Sequence, residues 1–344
     1  MSKYYGGIDV HVKFCQFSII DQEGKELINI DVETNRLQLI RFVKKLPKPI
    51  HLIVESSTLT EWVIRILEPF VDCIQACDPR QNKWISSSDK SNDKVDATRL
   101  ANLLRAGLYN PVHIPLKDRQ LFREMVIEYH KMTQETTRIK NRIKAKYRSR
   151  GIEASGQLVF SKRGREHYLS LLDDPLRQQT TLMYFKVFDE LIEQRKKLLQ
   201  NLRSRSAAYP EIANFMTVPG VGFIVAITFF AIVDTPWRFE SKEKLWSYCR
   251  LGVNHKISAG KRKGGGQKGG SRLLKSMLMR AAGAAIDSCK HPNEFSIHRS
   301  ELLARGKDNR TSRRSAARKI CSVLYGMFKN GQPYRSEAAG KISG

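Results

Sequence analysis

The chain has 344 residues, enough for two or three compact domains with their own cores, so no disulfide framework is needed to hold it together. Sixty Lys and Arg stand against 34 Asp and Glu, a net charge of +26 that is extreme for an enzyme of small metabolites and points to a polyanionic partner, nucleic acid first. Hydrophobic residues at 41% exclude a disordered basic tail, and the longest apolar run, Phe223 to Val233, is far short of the roughly 20 residues a bilayer requires.

The charge is unevenly spread. Residues 1–110 hold 15 bases and 14 acids, and the remainder holds 45 and 20, so almost all of the excess lies after residue 110. A near-neutral first part joined to a basic remainder suggests that one does chemistry while the other holds the polyanion. The six scattered cysteines (15, 73, 77, 249, 289 and 321) form no paired zinc spacing and are expected as reduced thiols in a cytoplasmic protein. No basic stretch followed by an apolar one opens the chain, so neither secretion nor membrane spanning is expected.

In chain order, residues 4–10, 14–20 and 27–32 are β-prone runs separated by turn-like segments and predict a three-strand meander. Residues 35–46 carry apolar side chains at 37, 39, 40 and 43, a helical spacing; residues 51–54 form a short apolar strand, and residues 60–70 are helical again. A meander followed by strand-helix units predicts a mixed α/β sheet flanked by helices, with reactive groups at the carboxyl ends of its parallel strands.

Four acids fall at informative places. Asp9 lies inside the first strand among apolar neighbours, where an isolated carboxylate is costly and where strands disfavour Asp. Glu55 follows the strand at 51–54. Asp93 and Asp96 open a helix at i, i+3 and so share one face, although Asp93 alone is also an ordinary helix cap. Several carboxylates from different elements suit hard divalent cations, and a pair of such ions suits phosphoryl transfer.

Residues 117–150 place Phe122, Met125, Tyr129, Met132, Thr136, Ile139, Ile143 and Tyr147 at 3-4 spacing, a coiled-coil seam sustained over more than three heptads. A second helix near residues 182–202 offers Phe185, Phe188, Ile192, Leu199 and Leu202 as an antiparallel mate, within the chain or across a dimer, and the polar stretch 151–165 reads as the connecting tip. A plain helical spacer is the alternative.

In the basic remainder, Val218-Pro-Gly-Val-Gly222 separates two helical stretches and can present backbone N–H groups to a phosphate. Residues 251–274 contain seven glycines and six bases, Lys256, Lys261, Arg262, Lys263, Lys268 and Arg272, a cationic loop ahead of a helix that begins near Ser271. Ser258 sits in this loop; taken locally it is a turn serine, but beside a scissile phosphate whose charge is offset it could act as a nucleophile. His255 and His298 read as ordinary polar or core histidines.

The order Asp9, Glu55, Asp93, Asp96 in Gly-Ile-Asp, Val-Glu-Ser-Ser and Asp-Lys-Val-Asp-Ala resembles the RuvC-like, ribonuclease-H-type domain of the DEDD transposases, recombinases of the insertion-sequence family "one-ten", some of which are guided by a bridge RNA. The basic part resembles the same family's transposase domain: Pro219 to Gly222, Leu251-Gly252, Ser258-Ala-Gly260, Lys268-Gly-Gly-Ser271, Leu274-Lys275 and the closing stretch 317–334 follow its motifs in order. Two positions depart from the pattern: Ala259 separates Ser258 from Gly260, and Ser271 replaces the usual Asn, which makes Ser271 the alternative nucleophile.

The resemblance implies an RNase H-like (RuvC-like) α/β domain over residues 1–110, a coiled-coil dimerisation segment over 111–205, and a mainly helical transposase domain with a helix-hairpin-helix-like turn over 206–344. It also implies a DNA recombinase in which Asp9, Glu55, Asp93 and Asp96 hold Mg2+ (or Mn2+) and Ser258 attacks DNA. Donor and target duplexes, a non-coding guide RNA and a homodimer or homotetramer with half-sites drawn from different protomers complete the expectation, with the protein in the prokaryotic cytoplasm beside the nucleoid. Two alternatives from other classes are a RuvC-like junction resolvase or nuclease with water as nucleophile, and a nucleic-acid-binding protein with a degenerate RNase H-like domain.

Overall fold

The computed structural model describes residues 4–78, 93–252, 255–258, 261–264, 269–289 and 291–335. They form two compact units, residues 1–114 and 115–344.

In the first unit, β1 (Tyr4–Val10), β2 (Phe14–Ile20) and β3 (Glu26–Glu33) form the meander, with β1 and β2 antiparallel and β2 and β3 antiparallel. Helix α1 (Arg36–Lys44), strand β4 (Ile50–Glu55), helix α2 (Thr60–Leu67), strand β5 (Cys73–Cys77), helix α3 (Asp93–Ala106) and the short β6 (Pro111–Val112) follow. The six strands lie in the order β3-β2-β1-β4-β5-β6; β4 runs parallel to both β1 and β5, while β6 is antiparallel to β5. This is a mixed RNase H-like sheet. One face, with Ile8, Phe17, Leu52 and Val54 fully buried, packs on α1 and α2; on the other, Ile53 and Cys77 pack on Leu100 and Leu104 of α3. Burial on both faces explains why β4 reads as a continuous apolar run rather than an alternating one.

Helix α3 seats on β1 where β1 has no side chain. A Cβ at Gly7 would overlap the Ala97 carbonyl oxygen and stand 2.7 Å from the Ala101 nitrogen, so the helix backbone itself rests on the strand. A polar network fixes the helix laterally: Thr98 donates to Glu26 at 2.7 Å, Asn29 donates to the same carboxylate at 2.9 Å, and Gln16 donates to Asn29 at 2.7 Å. Burial would raise the Glu26 carboxyl, but the hydrogen bonds from Thr98, Asn29 and Ser18 outweigh it and hold it below its ordinary value.

Among the described residues the regular elements of the second unit are helices apart from one hairpin. Helix α4 (Lys117–Arg148) and α6 (Pro175–Ser206) pair with α5 (Lys162–Ser170) at their connection; α7 (Pro210–Met216), α8 (Phe223–Val233), α9 (Lys242–Tyr248), the hairpin β7 (His255–Ser258) and β8 (Lys261–Gly264), α10 (Arg272–Asp287), α11 (Glu294–Ala304) and α12 (Asn309–Asn330) complete it. The apolar run singled out in the sequence is α8, every residue of which from Val225 to Val233 is buried, and the other helices gather around it.

Helices α4 and α6 are antiparallel partners within one chain: Phe122 near the start of α4 shares a core with Leu202 near the end of α6, and Lys146 near the end of α4 reaches Thr180 near the start of α6 at 3.3 Å. From Thr136 onward the buried positions of α4 (136, 139, 143, 147) keep the expected seam; before it they are 122, 126 and 130, because that half of the helix faces α8 instead. The polar tip expected at 151–165 is not a bare loop. It folds into a cap with a small core of Ala154, Val159 and Leu172 against Tyr147, Phe185 and Phe188, and Arg165 clamps it by pairing with Asp189 through two 2.6 Å bonds.

Two predictions follow from packing. Gly7→Ala forces α3 off β1 and costs about 1–3 kcal/mol, read as a lowered midpoint in urea. Buried His130, bonded to Thr228 at 2.8 Å, is held below its ordinary value of 6.5 by burial and by Arg280, so it folds neutral. Its contribution is present above that value and is lost as pH falls through 6.5, where the unfolded chain takes up the proton. His130→Gln therefore flattens the loss of stability between neutral pH and about pH 5 in thermal melts.

Candidate functional site

The parallel register sets Ile8 opposite Val54, so Asp9 and Glu55 come next, side by side, at the carboxyl ends of β1 and β4. Gly7 faces α3, and so does Asp9 two residues later; Ile53 faces α3, and so does Glu55. Helix α3 begins with Asp93 and carries Asp96 one turn on, immediately before the Ala97 that touches Gly7. The glycine contact is thus what brings the helical carboxylate over the two strand carboxylates.

Electrostatics registers the gathering. Burial first, then the charges of Asp9 and Asp96, push the Glu55 carboxyl above its ordinary value, against a smaller opposite pull from His11. His11 Nε2 stands 3.1 Å from Asp9 Oδ2, and Arg99 Nη1 donates to Asp96 Oδ1 at 2.9 Å. The loop after β4 is fixed locally, with the Thr60 hydroxyl donating to the Glu55 carbonyl at 2.5 Å and accepting from Ser57 N–H at 2.7 Å. Three expected acids, Asp9, Glu55 and Asp96, therefore share one edge, and Asp93 opens the helix beside them. Among the described residues no three His, Cys, Asp or Glu side chains already stand at metal-holding distances.

In the second unit the expected cationic loop contains the β7–β8 hairpin, paired His255 with Gly264, Lys256 with Lys263, Ile257 with Arg262, and Ser258 with Lys261. Ser258 is thus the last strand position before the turn. Ala259, Gly260 and Lys268 lie outside the described residues. Arg272 opens α10, and Ser271 caps it, its hydroxyl accepting from the Leu274 N–H at 3.2 Å. The base of the hairpin is pinned: Ser271 N–H donates to the Tyr248 carbonyl at 2.6 Å, and Arg314 donates to the Gly252 carbonyl at 2.9 Å.

The Pro-Gly turn expected to face a phosphate also has a packing duty. Gly220, at φ +81°, lies against the α10 backbone, where a Cβ would stand 2.5 Å from the Ala285 nitrogen.

Comparison with protein families agrees in both units. Residues 6–148 match the DEDD transposase model of the IS110 family, and residues 212–296 match the transposase IS116/IS110/IS902 family; the two ranges together take in about two thirds of the chain. An RNase H-like sheet with carboxylates at its strand ends, joined to this second domain, defines a DNA transposase. The chain belongs to the IS110 family of transposases. Comparison with curated proteins gives no match. Among the described residues no helix is long and apolar enough to cross a membrane.

Removing one of the crowded charges relieves the acidic edge. In EDTA at neutral pH, Glu55→Gln melts at a higher temperature than the parent chain; an unchanged or lower melting temperature would contradict the mutual repulsion of the three carboxylates.

Proposed function

We propose that the protein cleaves and rejoins the DNA ends of an insertion sequence, with Asp9, Glu55, Asp93 and Asp96 holding Mg2+ or Mn2+ and Ser258 as the nucleophile. The observation that carries the reading is the meeting of Asp9, Glu55 and Asp96 at one sheet edge in a chain of the DEDD transposase family. The donor set suits the group: all ligands are carboxylate oxygens, the choice of a hard divalent cation, and burial together with the charges of Asp9 and Asp96 raises Glu55, a penalty a cation would relieve. His11 and Arg99, which hold Asp9 and Asp96, are the partners an ion would displace. Such ions, when bound, offset charge that builds on a phosphate under attack.

The chain's own residues do the rest. The Ser258 hydroxyl attacks the scissile phosphorus and loses its proton; the bond from phosphorus to the leaving sugar oxygen breaks, and that oxygen is protonated. A sugar hydroxyl of the partner strand then attacks the phosphoserine and releases the serine. Each ester broken is matched by one formed, so strand exchange needs no external energy source. Lys256, Lys261, Arg262, Lys263, Lys268 and Arg272, the bases of the same segment as Ser258, offset phosphate charge. The Ser271 hydroxyl is engaged as a helix cap, which favours Ser258 over it.

Target choice rests on a non-coding guide RNA: base pairing reads the sequence and the protein reads backbone and shape, in keeping with the large charge excess concentrated after residue 110. Synapsis of donor and target duplexes uses a homodimer or homotetramer. Leu176, Met183 and Val187 stand exposed on α6 at spacings of seven and four, an apolar seam for a second copy. The setting is the prokaryotic cytoplasm, beside the nucleoid.

The test is denaturing electrophoresis of labelled DNA after reaction in Mg2+, with peptide mapping of any protein-linked band. The parent chain forms an adduct at Ser258; Ser258→Ala forms none yet binds DNA, and Asp9→Asn loses recombination while keeping DNA binding. An adduct mapped to Ser271 would move the nucleophile, and cleavage without any adduct would assign the chemistry to water.

A further inference from the structure

The second unit contains a cavity of about 690 Å3 that neither the acidic edge nor the serine hairpin uses. It lies between α9, α11 and α12, with the Trp246 ring, His298, Arg318, Lys319 and Tyr334 among its walls. The volume falls in the range of small-ligand sites and accommodates one nucleotide.

Its polar groups are arranged for something aromatic and anionic. Trp246 is half-buried and anchored, its indole N–H donating to Ser322 at 3.1 Å, so the ring is fixed rather than free to collapse. Arg318 lies 6.0 Å from the centre of that ring. The cavity's acid, Glu294, is already satisfied by Lys319 at 3.0 Å and the Tyr334 hydroxyl at 2.8 Å, and so does not oppose an anion. His298 is bonded to Ser315 at 2.9 Å, and burial together with Lys319 holds it below its ordinary value, as an uncharged polar wall.

One wall residue, Arg318, belongs to a line of cations. On α12, Arg310, Arg314 and Arg318 recur every four residues, and Lys275 of α10 joins them. Among the described residues no acid pairs with any of these four, although like charges sit close enough to disturb one another: burial, then Arg314, Arg250 and Arg310, push Lys275 down, and burial and Arg314 push Arg318 down. The Nε of Arg314 is buried without a hydrogen-bond partner. Arg314 already donates to the Arg250 and Gly252 carbonyls, but no acid among the described residues offsets these four charges, so the row offers a ready seat for an anion.

We propose that this cavity takes one unpaired base of a single-stranded nucleic acid, stacked on Trp246, with the adjoining phosphates running along Arg318, Arg314 and Lys275. The proposal rests on nucleic acid being the substrate class of the transposase, but on neither Ser258 nor the four acids. Stacking on a fixed indole reads no sequence, because every base presents a π-face, and the cation row tracks the backbone. The site would hold a splayed strand next to the hairpin, since Arg314 also pins the hairpin's base through Gly252.

The test uses the full chain as Ser258→Ala in EDTA, so that no chemistry intervenes. The probes are a single-stranded dT oligonucleotide of about 12 nucleotides, within the site sizes of single-strand grooves, an abasic oligonucleotide of the same length and charge, and the matching uridine oligonucleotide. The dT probe binds more tightly than the abasic one. Trp246→Ala weakens dT binding about five-fold or more and leaves abasic binding unchanged. Trp246→Phe, which keeps a stacking ring and guards against a folding artefact, retains the preference for bases. Arg318→Gln weakens both probes and flattens the log-log salt dependence by roughly 0.7. Tighter binding of uridine than of dT assigns the cavity to RNA, and the reverse to DNA. Equal affinity of the parent for dT and abasic probes, or a dT-to-abasic ratio that survives Trp246→Ala, overturns the proposal. Because the adduct assay reports on Ser258 and the acids, a chain that forms its adduct but shows no base preference would lose this site and keep the recombinase reading.

Discussion

The contact on which the first unit depends is the bare approach of a helix backbone to a strand. Asp9 and Glu55 are fixed by sheet hydrogen bonds, but Asp93 and Asp96 arrive on α3, a separate element that must come down onto β1 at one distance and one rotation. Gly7 sets the distance, since any side chain there would meet the Ala97 carbonyl. The rotation is set by Thr98, whose hydroxyl enters the Glu26-Asn29-Gln16 network on the neighbouring strands. A carboxylate cluster is repulsive in itself, so its geometry has to be imposed by contacts that are not part of it. Here a close backbone approach and a hydrogen-bond network centred on Glu26, on other elements of the sheet, impose it.

The basic unit solves a different problem. It carries the excess of positive charge, which opposes compactness, and offsets this with the most apolar element of the chain at its centre. Around α8, polar atoms are spent on joints: buried Asp234 at its end accepts from the Leu116 N–H at 3.0 Å, and its carbonyl accepts from Arg119, whose guanidinium lies 4.6 Å over Phe230. The beginning of α4 is thereby locked to the hub, while its far half is free to pair with α6. One long helix serves two cores, and the change of partner is visible as the rotation of its buried face near Thr136.

Much of this was legible in the residues. The meander, the strand before Glu55, both long helices and the start of α10 follow from alternation, 3-4 spacing and Ser capping, because each signal is local. What escaped was set by distant partners. Strand β5, Cys-Ile-Gln-Ala-Cys, is too short to carry a pattern and exists because β4 offers it an edge. The tip at 151–165 reads as polar because its five apolar residues, Ile152, Ala154, Leu158, Val159 and Phe160, are interspersed with glycines and charged or polar residues, and Ala154 and Val159 are buried only in a cluster with residues of α4 and α6. The acids were found individually by type and position, but their convergence needed the parallel register and the Gly7 contact. The pairing of β7 with β8 was hidden by glycine and lysine, which are poor strand formers. Trp246 gave no signal at all, since one aromatic residue on a short helix looks like core until the cavity beside it is seen.

The anchoring of the serine hairpin at its base has a consequence for how this unit can vary. Tyr248 holds Ser271, Arg314 holds Gly252, and Gly270 is pressed against the Tyr248 carbonyl, so the two ends of the segment between residues 252 and 269 are brought together by the scaffold rather than by the segment itself. Closure is then nearly indifferent to what is enclosed: doubling the length of such a segment costs only about 0.6 kcal/mol in chain entropy. The segment behaves as an exchangeable cassette. Its sequence and length can be redrawn, in nature or at the bench, while the helices that present it keep their fold.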